Sequence, residues 1–271
     1  MTGDRVTIVV VAHNSADDLP DCLASIELHG GGVATVVVDN ASTDASREVA
    51  RVGPSVRLIE STENDGFSKA NNRGLQTIET EFALVLNPDA RLTSSSICEL
   101  LAAADRHPAG AVIGPRTVYD DGAPQVSFGP DLTLASEWRQ GRLVKGVKAG
   151  DPRAIKRLRA MTAAEQTVDW VSGSCMLLRM APARDIGFFD ERYFLYEEDA
   201  DLCLRLRKKG ASVVFAPKAV VIHALGTSMA KVSERARSAY DASHRLYYRL
   251  HRPRWEQMVL DMMIAVKRSG R

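Results

Sequence analysis

Four acids within five positions, Glu197, Glu198, Asp199 and Asp201, stand between an aromatic run and a helical pattern. The run is Phe188, Phe189, Tyr193, Phe194 and Tyr196. In the pattern, Leu202 and Leu206 recur with Cys203 beside them, while Arg205, Arg207, Lys208 and Lys209 fall on the water side. Acids in the first turn and bases in the last match the helix dipole, which favours the ionised form of a first-turn carboxylate. An ionised carboxylate beside an aromatic wall is a general base for a hydroxyl proton. The plain alternative is that these acids only cap the helix.

The elements that would position such a site lie upstream. Val6–Ala12 is a continuous apolar, β-branched run of the kind covered on both faces, followed by His13-Asn14. Ser15 with Asp18 reads as a capping box for a helix whose apolar face is Leu19, Cys22, Leu23 and Ile26. A second run, Val33–Val38, ends in Asp39-Asn-Ala-Ser-Thr-Asp44, and a third, Val56–Ile59, leads to Asn64-Asp-Gly-Phe67. In the helix that follows, Ala70, Asn71 and Gly74 place small and amide residues where aliphatic ones are usual, a face suited to close approach of something polar. Phe82–Leu86 runs into Asn87-Pro88-Asp89, and Ser94 would cap the next helix.

Strand, polar loop and helix in repetition predict an α/β fold with a mostly parallel, Rossmann-like sheet flanked by helices. Ligands of such sheets bind beyond the carboxyl ends of the strands. Asn14, Asp39, Asn64 and Asp89 should therefore converge on one edge.

Farther on, Val112–Pro115 reads as a short strand and Asp120-Asp121-Gly122 as a hairpin turn. Residues 131–166 carry many bases and little strand pattern, with helical spacing from Arg153 to Met161. They read as an insertion or lid, or as a solvated basic helix. Strands follow at Cys175–Arg179, Ser212–Ala216 and Ala219–His223. Residues 233–271 read as helices broken near Pro253, ending in an apolar and basic stretch that can pack on the domain, build a homodimer or lie peripherally on an anionic membrane.

A formal net charge of +1 excludes any global pull toward nucleic acid, and 45% hydrophobic with 25% charged residues is ordinary for a globular chain. Cys22, Cys98, Cys175 and Cys203 lack metal-ligand spacing and read as reduced core thiols of an intracellular, cytoplasmic chain. No phosphate-loop or dinucleotide fingerprint follows the first strand, which argues against a nucleotidyltransferase.

Taken together these pieces resemble the family 2 inverting glycosyltransferases of GT-A fold, in their rhamnosyltransferase-like branch. The likeness runs from Val6 to about Ser228, through the stretches already quoted and through Trp170-Val-Ser-Gly-Ser-Cys-Met-Leu-Leu-Arg179, Gly187-Phe-Phe-Asp-Glu-Arg-Tyr-Phe194 and Glu198-Asp-Ala-Asp-Leu202. It implies a glycosyltransferase domain over residues 1–228 and a helical extension over 229–271. It implies donor contacts from Asn14, Asp39 (reading the nucleobase), Asn64, Gly66, Phe67, Asn72, Asn87 and Asp89, and an acceptor side at Trp170, Ser172, Gly173 and Ser174. Asp199 is implied as catalytic base, with Glu198 second. Asp89 and His223 are implied as ligands of Mg2+ or Mn2+, although Asn87 replaces the first acid of the family's D-x-D motif. The implied reaction moves a sugar, rhamnose from dTDP-rhamnose first, from a nucleoside diphosphate to a glycan, lipid-linked or small-molecule hydroxyl. A UDP-hexose transferase and a non-catalytic nucleotide-sugar binder are the rival readings.

Overall fold

The computed structural model describes residues 2–53, 55–224 and 234–269. The predicted boundary between 228 and 229 lies outside the described residues.

The first half alternates strand and helix: β1 (Val6–Ala12), α1 (Leu19–His29), β2 (Ala34–Asp39), α2 (Ser46–Val52), β3 (Val56–Glu60), α3 (Gly66–Leu75), β4 (Phe82–Leu86), β5 (Ala90–Leu92) and α4 (Ser96–Arg106). Then come β6 (Gly110–Val118), β7 (Phe128–Gly129), α5 (Leu134–Lys148), α6 (Pro152–Met161), β8 (Gln166–Val168), β9 (Trp170–Val171), β10 (Cys175–Arg179) and α7 (Met180–Asp185). The rest is α8 (Glu198–Lys208), β11 (Ser212–His223), α9 (Glu234–His251) and α10 (Arg254–Ser269).

The main sheet runs β3-β2-β1-β4-β10-β6-β11-β5, with β8 also on β11, and β7-β9 forms a small second sheet. The main sheet is mostly parallel: β3, β2, β1 and β4 pair in parallel, as do β6 and β11, while β10 runs against β4 and β6.

The pleat splits the apolar runs into two cores. Ile8, Val10, Leu84, Leu86, Cys175 and Leu177 face α1 and α4. Val9, Val85, Met176 and Leu178 face the side of Leu75, Met180, Leu202 and Leu206. Strands buried on both faces have no polar alternation, which is why they read as unbroken runs.

Several local expectations change. Ser15 and Asp18 form no capping box. The Ser15 hydroxyl accepts from His13 N–H, and Asp18 caps nothing through its side chain. Ser95, not Ser94, precedes α4, and it makes no side-chain cap. The small face of α3 serves the sheet: a Cβ on Gly74 would come within 2.7 Å of Val9. Ser212–Ala216 and Ala219–His223 are one strand, β11, whose register against β6 shifts between Ala216 and Val220, next to Pro217. Residues 131–166 hold two helices, α5 and α6. The first has too weak an apolar stripe to be legible, with Leu143 its single buried side chain. Cys98 is exposed, unlike the other three thiols, so it is no core residue.

The C-terminal helices pack on the domain. Tyr247 and Tyr248 of α9 and Leu260 and Ile264 of α10 share a buried cluster with Tyr193 and Ala200. Asp201, fully buried in α8, fixes this docking. It accepts from Arg205 Nε at 2.6 Å and from His251 Nε2 at 2.7 Å.

Candidate active site

Because β10 runs against β4, the turn that precedes it lies at the carboxyl end of β4, where Asn87 N–H donates to Ser174 O at 2.9 Å. β11 ends at the same edge, its His223 in register with Ala90. Asn14, Asp39, Asn64, Asp89, Ser172, Gly173, Ser174 and His223 thus come to one edge of the sheet.

At the β2 end, Asp39 is 1% exposed. Its Oδ2 accepts from Arg47 Nε at 2.6 Å and from Ser42 N–H at 3.2 Å. Its Oδ1 is buried with no partner. An orphaned carboxylate oxygen is costly unless a ligand donor completes it.

The neighbouring loops are braced by amides. Asn14, at φ 53°, takes the Thr43 N–H on its side-chain oxygen at 2.8 Å, which ties the β1 and β2 loops together. Asn40 donates to Asn64 Oδ1 and Gly66 O and accepts from Asp65 N–H. Asn64 Oδ1 also accepts from Gly66 N–H. Gly66 is at φ +84°, and a Cβ there would sit 2.3 Å from Phe194 O, so only glycine fits. Phe67 N–H then donates to Phe194 O at 2.7 Å, which sets its ring beside Gly173 and edge-on to Phe189.

Asp199 opens α8 opposite this ring. Its Oδ2 accepts from Gly173 N–H at 2.8 Å and its Oδ1 from Ala200 N–H at 2.7 Å. Burial raises its pKa above the ordinary carboxylate value, while those N–H groups pull the other way. Glu198 is 5% exposed, and one of its oxygens has no partner. Burial, with the charge of Asp199 added, drives its pKa well up.

Tyr196 and Glu197 enter α8 at φ 72° and 64°. Two consecutive non-glycine residues in the left-handed region store roughly 1–3 kcal/mol each. Burial pushes Glu197 up to about 8, offset in part by His244 and reinforced by Asp199 and Glu137. A raised carboxyl contributes its full stability below the unfolded value, and that stability is lost as pH rises through the folded one. Glu197→Gln should therefore flatten the fall in melting temperature between about pH 5 and pH 8, read by scanning calorimetry. An unchanged pH slope would refute the assignment.

At the far side of the site His223, 8% exposed, sets Nε2 3.2 Å from Asp89 Oδ1. Gln125 donates from Nε2 to His223 O at 2.6 Å, so its Oε1 faces His223 Nδ1 at 3.2 Å. That fixes the proton on Nδ1 and turns the bare Nε2 toward a carboxylate oxygen. A neutral ring and the carboxylate make a donor set for Mg2+ or Mn2+, whereas an imidazolium would donate from Nε2 to Asp89 directly. Among the described residues no group of three or more His, Cys, Asp or Glu side chains could hold a metal. The pair by itself is too few ligands to make a metal site.

Between these residues and α5 lies a cavity of about 190 Å3, lined by Gln125, Ser172, Ser174, His223, Val144 and Lys148. The basic insertion thus walls the site. Two predicted contacts lie behind the wall. Asn72 is 3% exposed and spends its amide on Phe189 N–H, Phe189 O and Glu191, which straps the aromatic loop to α3. Trp170 gives its indole N–H to Pro130 O at 2.8 Å and packs between two clusters. Asn87 reaches the site through its backbone, as Ser174's partner. Sequence reasoning missed Asn40 and Gln125. The first was hidden beside Asp39, and the second carries no local signal because β11 supplies its partner.

The family profile described as Glycosyl transferase family 2 matches residues 7–186, and that of Glycosyl transferase family group 2 matches residues 153–263. The chain is 32% identical over 233 residues to an N-acetylglucosaminyl-diphospho-decaprenol L-rhamnosyltransferase of Mycobacterium tuberculosis, covering 81% of this chain and 76% of that one. It is 29% identical to the low-salt glycan biosynthesis hexosyltransferase Agl10 of Haloferax volcanii, covering 78% of this chain and 64% of that one. Among solved structures, S. aureus TarS 1-349 in complex with UDP-GlcNAc superposes with a TM-score of 0.55 at 19% identity, over 88% of this chain and 65% of that one. GalNAc-T7 with UDP, GalNAc and Mn2+ gives 0.61 at 14% identity, over 81% of this chain and 43% of that one. At such identities the likeness is one of fold.

Proposed function

The chain belongs to the family 2 glycosyltransferases, in their rhamnosyltransferase-like branch, and acts as a nucleotide-sugar-dependent glycosyltransferase; from that premise we propose a single displacement with inversion. In it, rhamnose from a dTDP donor passes to a hydroxyl of a polyprenyl-diphosphate-linked sugar. The observation that supports this most is Asp199, whose carboxylate is aimed by Gly173 N–H at 2.8 Å on the same sheet edge as Asp39 and Asp89. Asp199 takes the acceptor proton, the freed oxygen attacks the anomeric carbon, and the nucleoside diphosphate leaves from the opposite face. Glu198, buried with one oxygen unpartnered, is the neighbouring carboxyl at the same helix start.

Asp39 Oδ1 would accept the N3–H that uracil and thymine share. Asn64, Gly66 and Phe67 would line the nucleotide, and the Ser172-Gly173-Ser174 turn would face the acceptor. Asp89 and His223 would hold a divalent cation, which when bound neutralises charge growing on the leaving diphosphate. The lipid-linked acceptor is taken from the printed name of the mycobacterial relative. A UDP donor is the second reading, favoured by the UDP-GlcNAc held by the TarS fold relative.

Calorimetric titration with UDP, dTDP, GDP and ADP, each with and without Mn2+, separates these readings. Metal-dependent binding of dTDP alone is expected. Asp39→Ala should weaken it by about tenfold or more, the worth of a hydrogen bond to a charged group. Binding of UDP instead moves the donor to the second reading, and no binding at all overturns both.

A further inference from the structure

Helix α10 carries two apolar faces. Leu260 and Ile264 are buried against the domain, while Trp255, Met258, Met262, Met263 and Val266 remain 57–71% exposed. At 3.6 residues per turn these five fall within an arc of roughly 140° that holds no charged residue. A continuous apolar stripe left in water marks a surface that meets something apolar. No helix among the described residues is long and apolar enough to cross a membrane, so the stripe is not part of a span.

A second observation is independent of the first. Helices α5 and α6 carry four bases each, all exposed, and among the described residues none of these eight is in an ion pair. Three acids of the insertion are engaged elsewhere, Asp131 with Arg207, Glu137 with His244 and Glu165 with Arg106, while Asp151, the cap of α6, stands among these bases. Between the two helices runs a cleft of about 310 Å3 lined by Arg139, Arg142, Arg153 and Arg157, with the exposed Trp138 at its rim under the Arg142 guanidinium. Four arginines against the one carboxylate of Asp151 leave the cleft positive, which fits phosphate oxygens.

The helices that carry the two surfaces share one core. Glu137 in the first turn of α5 accepts from Tyr248 of α9, and Leu132 and Leu134 beside it pack into the cluster that buries Leu260 and Ile264. The acids of α10 add no negative charge, since Glu256 pairs with Arg252 and Asp261 with Arg245. A second copy would bring the same positive field and be repelled. An anionic bilayer matches the chemistry of both parts.

We propose that this protein docks on the surface of an anionic phospholipid bilayer, with the exposed face of α10 entering the headgroup–acyl boundary and the α5–α6 arginine cleft taking lipid phosphates. The inference rests on these surfaces alone and stands or falls apart from the donor and acceptor readings.

The test is co-sedimentation of the full chain with vesicles of phosphatidylcholine, pure or mixed with phosphatidylglycerol, at low and high salt. Binding is expected to the mixed vesicles only, and to weaken as salt rises. Each base near an anionic surface contributes roughly fivefold in affinity. Replacing Arg139, Arg142, Arg153 and Arg157 together by Gln should therefore weaken binding by well over about tenfold. Met258→Ser with Met262→Ser should cost about tenfold or more, with circular dichroism and melting unchanged because both side chains are exposed. Equal binding to neutral vesicles, binding that survives both sets of substitutions, or a solution dimer that the methionine pair dissociates without any vesicle binding would each overturn the proposal.

Discussion

Asp199→Asn lowers turnover by about 10²–10⁴-fold, the usual contribution of a positioned general base, and leaves the affinity for nucleoside diphosphate within about twofold of the parent. The substitution keeps size and one acceptor oxygen, so one of the two N–H groups that now hold the carboxylate, Gly173 on Oδ2 at 2.8 Å and Ala200 on Oδ1 at 2.7 Å, loses its acceptor. What it removes is the proton-accepting charge. Steady-state kinetics beside diphosphate titration separates the two effects. The pH profile supplies a second check. Burial raises the Asp199 pKa, so the acid limb of the parent's turnover should lie above that of a free aspartate, with activity rising as the base ionises. In Asp199→Asn that limb should vanish. A variant with near-normal turnover would remove Asp199 from the reaction and return the acidic cluster to the role of a helix start.

Asp201→Ala, two residues along the same helix, should behave in the opposite way. It destabilises the fold by about 3–5 kcal/mol, because it strands two partners around a buried position. Asp201 is fully buried, and each of its oxygens has one donor, Arg205 Nε and His251 Nε2. Lys208 Nζ lies 3.4 Å from His251 Nδ1 and donates to it, which leaves the ring proton on Nε2 for Asp201. Arg205 also donates to the carbonyls of Ile186 and Phe188, so the loss reaches the aromatic loop. Urea unfolding gives the number, and a loss within about 1 kcal/mol, the ordinary scale of a point substitution, would show that α9 docks without this anchor. The two aspartates share a motif and a first turn, yet one is set by backbone donors at the mouth of the site and the other by side-chain donors under it.

Legibility followed the range of the interactions involved. Strands β1, β4 and β10 could be read residue for residue, because burial on both faces leaves unbroken apolar runs that need no partner to be recognised. The convergence of Asn14, Asp39, Asn64 and Asp89 also followed from the sequence, since parallel strands put their carboxyl ends on one edge. Helix α5 was not legible, because a helix that buries one leucine writes almost no stripe. Nor was the continuity of β11, whose register shift beside Pro217 looks like a break when read along the chain.

By itself, then, the sequence determined the fold class, the family, the polar edge and the acids that could act there, since all of these are set by residue type and local spacing. Tertiary structure alone decided the division of labour. It set Asp199 against Gly173, twenty-six residues away, and buried Glu198 without a partner for one oxygen. It spent Asn72 and Trp170 on the walls, and it brought Gln125 to orient His223. The physical reason is that a carboxylate's charge and an amide's free valence depend on burial and on donors from distant strands, which no local spacing encodes.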